Sequence, residues 1–294
     1  MKQNQLYKIL PQKIKNILQQ NKISYEGLQE IRMREQKPLF LRINGKEKEF
    51  LHYVTREELR ETMEYISDYS LYAYENELRQ GFLTIQGGHR VGIAGKVIIE
   101  NEKVKNFQYI SSINIRICHE IQDCADKLFP YILNNGKAEH TLIISPPGSG
   151  KTTLLRDLVR QVSDGNAYIK GQNVAVVDER CELGGCYQGV PQNQLGRRTD
   201  ILDCCPKAEG MIMLVRSMSP QILAVDEIGT EEDRKAISYA ANSGVTVFAT
   251  VHGDSLADAR RKNLALFRKF IVLRGMKEIG GLEGIYDAGG NRLC

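Results

Sequence analysis

Between residues 142 and 159 the chain reads LIISPPGSGKTTLLRDLV: an apolar run, a turn of proline and glycine, then a helical pattern opened by Lys151 and Thr152. Backbone N–H groups in such a loop, and in the first turn of the helix after it, lack internal acceptors; with the helix dipole they favour an anion. Pro147, Gly148, Ser149 and Gly150 supply the loop, Lys151 has the reach for β- and γ-phosphates, and Thr152 places a hydroxyl on Mg²⁺, with Thr153 beside it. Ser145 stands where the pattern G-x-x-x-x-G-K-[ST] has its first glycine, and Pro146-Pro147 stiffen that turn instead. A turn that merely joins strand to helix is the plain alternative.

Hydrolysis needs carboxylates beside the phosphates. QILAVDE ends an apolar run in Asp226, able to hold Mg²⁺ through water, and Glu227, able to polarise the attacking water. NVAVVDERCEL ends in Asp178, Glu179 and Glu182, and VTVFATVHGDS ends in Thr250 and His252, polar groups placed to sense a γ-phosphate. Strand-end acids that cap helices, or that pair with Arg180 or Arg197, are the structural alternatives.

These residues must be carried to one edge. From TLIIS onward the chain alternates β-branched runs with helical patterns, which predicts parallel strands buried on both faces and open at their carboxyl ends, where ligands bind. The helical patterns are TTLLRDLVRQVS and EEDRKAISYAANSG, and a long irregular stretch follows NVAVVDE. Ahead of them CADKLFPYILNNGKAEH reads as a helix stopped by Asn-Asn-Gly, and after them ADARRKNLALFRKF reads as a packed helix with a basic outer face. The earlier residues read differently. An amphipathic helix is expected over 7–20, a hairpin around Asn44-Gly45, a helix opened by the Thr55/Glu58 capping box, a second helix LYAYENELRQ, and strands in FLTIQ, RVGIAGKVIIE and INIRICHEI. The expected division is an α+β module over 1–122 and an α/β domain over 123–294.

Forty basic against 36 acidic residues give a net charge of +4, too weak and too interspersed to point to nucleic acid. The opening residues lack the apolar core of a signal peptide, and no run of apolar residues reaches membrane-span length, so a cytoplasmic protein is expected. Seven cysteines, an odd number, predict reduced thiols rather than a disulfide framework. Cys181, Cys186, Cys204 and Cys205 lack the C-x-x-C spacing of a zinc site.

Four elements thus stand in fixed order: SPPGSGKTT, VVDERCE, ILAVDEIGTEEDRKAISYAANSG and VFATVHGDSLADA. That order resembles the type II/IV secretion ATPases, with their phosphate loop, acidic box, acidic strand and T-x-H box. A sporulation branch of that superfamily is closer still, through GGHRVGIAGKV, GRRTDILDCCPKAEGM and MSPQILAVDEIGTEED. The resemblance implies a RecA-like P-loop NTPase core with a parallel-rich sheet, clamped by a smaller N-terminal α+β domain, in a hexameric ring with ATP between subunits. It implies catalytic roles for Glu227, Glu182 and His252, phosphate binding by residues 147–153, and Mg²⁺ near Thr152, Asp226 and Glu179. The box reads VDERCE rather than E-D-P-x-E, which leaves Asp178 and Glu179 interchangeable as the metal-side acid. For the sporulation branch the implied setting is the mother-cell cytoplasm, peripheral to the membrane, with integral membrane proteins of a mother cell–forespore channel as partners. Arg90, Arg116 and Arg197-Arg198 are candidates to reach a neighbour's phosphates.

Two other classes share these motifs. A nucleic-acid motor uses the same core, but no platform of interleaved aromatic and basic residues is evident. A nucleotide-gated scaffold would bind ATP without useful turnover.

Overall fold

The computed structural model describes residues 2–67, 81–261, 264–274 and 281–294. They form two compact units, Met1–His119 with Gly185–Gln192, and Glu120–Gly184 with Asn193–Cys294.

The first unit opens with helices α1 (Lys2–Ile9) and α2 (Gln12–Gln20). The periodicity over 7–20 predicted one helix, but Pro11 caps α2 and divides the segment, since proline has no N–H to continue an earlier helix. Strands β1 (Leu28–Arg34), β2 (Pro38–Ile43) and β3 (Lys46–Tyr53) follow, then α3 (Arg56–Ser67), β4 (Phe82–Thr84), β5 (Arg90–Glu100) and β6 (Lys103–Arg116). The strands make one antiparallel sheet in the order β3-β2-β1-β6-β5-β4. Asn44 (φ 49°) and Gly45 (φ 77°) turn the β2–β3 hairpin as expected of Asn-Gly. The capping box at α3 is formed, with Thr55 N–H donating to Glu58 Oε2 (2.8 Å) and Glu58 N–H to Thr55 Oγ1 (3.2 Å). The expected helix over 71–80 lies outside the described residues.

The second unit carries the phosphate loop. The helix expected in CADKLFPYILNNGKAEH is short: a 3-10 turn, Asp126–Leu128, leads into α4 (Phe129–Ile132). Asn135 and Gly136 then take left-handed backbone between β7 (Leu133–Asn134) and β8 (Lys137–Ala138), so the predicted stop signal is a hairpin turn. There follow β9 (Thr141–Ser145), α5 (Lys151–Asp164), β10 (Val174–Asp178), β11 (Thr199–Asp203), α6 (Lys207–Met218), β12 (Ile222–Val225), α7 (Glu231–Asn242), β13 (Thr246–His252), α8 (Leu256–Arg261), β14 (Lys269–Leu273) and β15 (Leu282–Asp287). The stretch expected to be irregular after β10 therefore holds β11 and α6. The basic segment near 260–270 is not one helix: α8 ends at Arg261 and Phe270 lies in β14, its side chain in the core.

The seven-stranded sheet runs β11-β10-β12-β13-β9-β14-β15, parallel throughout except β14–β15. Alternate residues of its strands feed two cores. Ile143, Val176 and Phe248 pack with Leu154, Leu155 and Leu158 of α5 on one face; Ile144, Val177 and Val247 pack with Met211 of α6 and Ile237 of α7 on the other. Both faces being covered explains why these strands read as unbroken apolar runs. Register brings His252 beside Ser145 and Asp178 beside Asp203 at the carboxyl edge.

Candidate active site

The loop from β9 to α5 is built for close approach to an anion. Gly148 (φ 76°) and Gly150 (φ 87°) hold left-handed backbone, and a Cβ at Gly148 would meet nothing, so conformation rather than space calls for glycine there. Ser145, in contrast, ends β9 in extended backbone; it is fully buried and its hydroxyl donates to Pro146 O at 3.0 Å. The position of the missing first glycine thus needs none. Gly150 caps α5 without a side chain, leaving the N–H groups of the first turn uncapped. Ser149 is 1% exposed, and its buried hydroxyl has no hydrogen-bond partner among the described residues.

Two carboxylates leave β12 directly against this loop. Thr152 Oγ1 donates to Asp226 Oδ2 at 2.6 Å, and Thr250, fully buried in β13, donates to Asp226 Oδ1. The same Thr250 hydroxyl accepts the Glu227 N–H at 2.8 Å, fixing a residue with left-handed backbone (φ 55°). Glu227 Oε1 lies 2.8 Å from Lys151 Nζ and 3.0 Å from His252 Nε2, while Oε2 pairs with Arg180. Burial alone would raise the Glu227 pKa, but Lys151, Arg180 and His252 together hold it below the usual carboxylate range. It is therefore an anion at neutral pH.

The acidic box is a tight loop around Asp178. The Asp178 carboxylate is buried; Oδ1 accepts the Glu182 N–H and Oδ2 the Gly184 N–H, each at 2.8 Å. Burial nevertheless pushes its pKa up to about 6. Glu179 is paired with Lys207 at 3.0 Å, and the same ammonium donates to Glu227 O at 3.0 Å. Arg156 of α5 binds the carbonyls of Glu182 (2.5 Å) and Leu183 (2.8 Å), pinning the loop to the phosphate-loop helix.

The structure thus gathers Lys151, Thr152, Asp226, Glu227 and His252 into one connected set of contacts. Glu179 joins it through Lys207, whereas the backbone of Glu182 bonds to Asp178 and Arg156, outside this set. Sequence reading weighed Arg180 only as a surface partner for the box acids and overlooked Lys207 and Arg156. Lys207 is placed by α6, which sequence reading left as irregular; Arg156 lies on the expected helix α5, but its partners are carbonyls of the loop after β10, which no local pattern locates. Arg197 pairs with Asp164, and Arg198 with Ser163 O (3.0 Å), both at the far end of α5. That is about 20 Å of helix from Lys151, so within the chain neither reaches this site. Arg90 lies over the Phe82 ring, 3.6 Å from its centroid.

The chain matches the family described as "Sporulation stage III, protein AA" over residues 1–293. It is 41% identical to Stage III sporulation protein AA of Bacillus subtilis (strain 168) over 298 residues, covering 99% of this chain and 97% of that protein. This chain belongs to the sporulation stage III protein AA family. More distantly, the Streptococcus pneumoniae competence protein ComGA is 28% identical over 195 residues, 63% of this chain and 58% of ComGA. Among solved structures, the Legionella pneumophila ATPase DotB superposes with TM-score 0.61 at 17% identity, covering 88% of this chain and 75% of DotB. The pilus retraction motor PilT gives 0.59 at 16%, covering 92% and 81%. This member of the sporulation stage III protein AA family therefore has the RecA-like secretion-ATPase fold. Among its described residues no helix is long and apolar enough to cross a membrane.

Proposed function

We propose that this chain is a Mg²⁺-dependent ATP hydrolase that works as a ring, a hexamer, and converts turnover into motion on a sporulation channel between mother cell and forespore. The observation that carries the reading is the double link across the phosphate loop: Thr152 on Asp226 at 2.6 Å and Lys151 on Glu227 at 2.8 Å. Family membership supports the sporulation setting. PilT, which shares this fold, was solved with ADP bound.

The residues fit Mg²⁺-ATP on the structure's own terms, since Ser149 offers a buried hydroxyl with no partner among the described residues, beside uncapped helix N–H groups. Bound Mg²⁺-ATP supplies the anhydride to be cleaved and the cation that offsets its charge. Residues Pro147 to Thr153 bind the phosphates, with Lys151 turning to them from Glu227. Thr152 and Asp226 would hold Mg²⁺, with Glu179, paired with Lys207 in this structure, as the further carboxylate on that side. Glu227, ionised and positioned by Thr250, accepts the proton of the attacking water, with His252 and Glu182 supporting it. On this reading residues 123–294 are the ATPase domain and 1–122 a smaller α+β domain. The ring sits in the mother-cell cytoplasm, docked on integral membrane proteins of the channel.

Phosphate release by the purified chain, with mass in solution measured with and without Mg²⁺-ATP, tests the proposal. Glu227→Gln is expected to lower kcat by about 10²-fold or more while nucleotide still binds. A Glu227→Gln protein as fast as the parent refutes the mechanism. Ring formation with ATP but no phosphate release selects the scaffold reading.

A further inference from the structure

Behind the acidic box lies a second cluster of ligating groups that ATP hydrolysis does not use. Cys181 Sγ, Cys204 Sγ and a carboxylate oxygen of Asp203 all lie within 4.8 Å of one another. They come from two places 22 residues apart in the chain, the loop after β10 and the end of β11, so convergence is a product of the fold. Their backbone is arranged for it. Cys181 (φ 54°) and Cys204 (φ 52°) both adopt the left-handed conformation that side-chain-bearing residues rarely take. Both N–H groups are aimed at one acceptor, Asp178 O, at 3.4 Å from Cys181 and 3.0 Å from Cys204. Strained backbone at two thiols, held around a single carbonyl, turns both sulfurs and the carboxylate toward a common point.

We propose that Cys181, Cys204 and Asp203 form a zinc site. Two thiolates and a carboxylate suit a borderline-soft divalent ion and disfavour Mg²⁺ or Ca²⁺, which take oxygen ligands. A tetrahedral Zn²⁺ with Zn–S of about 2.3 Å separates its sulfurs by roughly 3.8 Å, which the cluster reaches by a small rotation of the exposed Cys204 side chain. Each thiol gives its proton to solvent as the ion binds, and water completes the fourth position on the exposed side. The ion ties the end of β11 to the loop carrying Glu179, Arg180 and Glu182. It clamps the acidic box from behind without touching the phosphate loop. The site stands independently of the proposed hydrolysis.

The test uses the full-length chain, stripped with chelator and kept under a phosphine reductant. After one equivalent of Zn²⁺ and gel filtration, metal content is expected at about one ion per chain, and Co²⁺ in its place is expected to give the near-ultraviolet thiolate-to-cobalt band. Cys204→Ser, at an exposed position where the far-ultraviolet spectrum is expected to stay unchanged, is expected to weaken Zn²⁺ binding by on the order of 100-fold or more, and Asp203→Asn to weaken it as well. Cys294→Ser, an exposed thiol outside the cluster, and Asp226→Asn, on the ATP side, are expected to leave the cobalt band unchanged. A Co²⁺ complex without thiolate band, or Zn²⁺ retained equally by Cys204→Ser, overturns the proposal.

Discussion

Arg180 of the acidic box closes on Glu227 Oε2 while Lys151 holds Oε1 at 2.8 Å, so the carboxylate that faces the phosphate loop is clamped by one cation from the loop after β10 and one from the first turn of α5. If Lys151 turns to phosphate as proposed, Arg180 and His252 are the charges left to keep Glu227 ionised. Arg180→Met removes one of the groups that depress the Glu227 pKa, and that pKa must rise. A base with a raised pKa is lost to protonation sooner on acidification. The acid limb of the kcat/KM profile is therefore expected to move to higher pH. Because Arg180 is 59% exposed, the loss at pH 8 is expected to stay within about tenfold. A profile that does not move rules out Arg180 as a partner of the ionised base.

Thr250 organises both acids at once, donating to Asp226 and accepting the Glu227 N–H at 2.8 Å. Thr250→Val keeps the shape and removes both bonds, leaving a half-buried donor and acceptor unmatched at a cost of up to about 1–3 kcal/mol. Calorimetry is expected to show the melting midpoint lowered by several degrees, and hydrolysis at least about tenfold slower as Glu227 loses its fixed backbone. Thr250→Ser keeps the hydroxyl and is expected to restore most of both. Equal effects of Val and Ser would assign the loss to packing instead.

Where chemistry sat on a strand end, the sequence was readable. TLIIS, NVAVVDE, QILAVDE and VTVFATVH are strands, and parallel register alone carries Ser145, Asp178, Asp226 and His252 to one edge. The departures arose where tertiary contacts outweigh local pattern. Pro11 divides a helical periodicity that the apolar spacing alone does not interrupt. Asn-Asn-Gly serves both as helix stop and hairpin turn, and only the pairing of Leu133 with Ala138 decides between them. Residues 199–203 form a strand half-buried at the sheet edge, with a polar start that hides it. The association of Cys181 with Cys204 was invisible because it rests on that strand's parallel register with β10 and on left-handed backbone at residues other than glycine.

His89 titrates against the fold of the first unit. Its Nδ1 accepts the Cys118 N–H and its Nε2–H donates to Lys2 O, both at 3.1 Å, an arrangement that requires the neutral ring. Burial first, with the nearby charges of Lys2 and His119, lowers its pKa from 6.5 to about 4. Between those values the unfolded chain binds the proton that the native ring refuses. The His89 contribution is thus full above pH 6.5, declines as pH falls towards 4, and is level below that. The shift corresponds to roughly 3 kcal/mol over the window. Denaturant midpoints of the parent chain are expected to fall across this range, and His89→Leu, costly at pH 8 because it strands the Cys118 N–H, is expected to flatten that slope. An unchanged slope in His89→Leu would assign the acid lability to other groups.

Gly210 sets how closely α6 lies on β10, and through it where Lys207 meets Glu179 and Glu227. A Cβ at Gly210 would stand 2.8 Å from Val177 Cγ1 and 3.0 Å from Cys205 Sγ. Alanine gains up to about 1 kcal/mol of helix propensity over glycine, whereas overpacking a closed core costs about 1–3 kcal/mol. Val177 is 1% exposed and cannot move aside without disturbing β10, so the steric cost is expected to prevail and Gly210→Ala to destabilise. The partner decides the mechanism. Val177→Ala removes the obstructing methyls and by itself leaves a cavity, but combined with Gly210→Ala it gives the new methyl its space. The double variant is expected to be more stable than the sum of the two single effects by about 0.5–3 kcal/mol. Strict additivity in denaturant unfolding would show that Gly210 is not held by its contact with Val177.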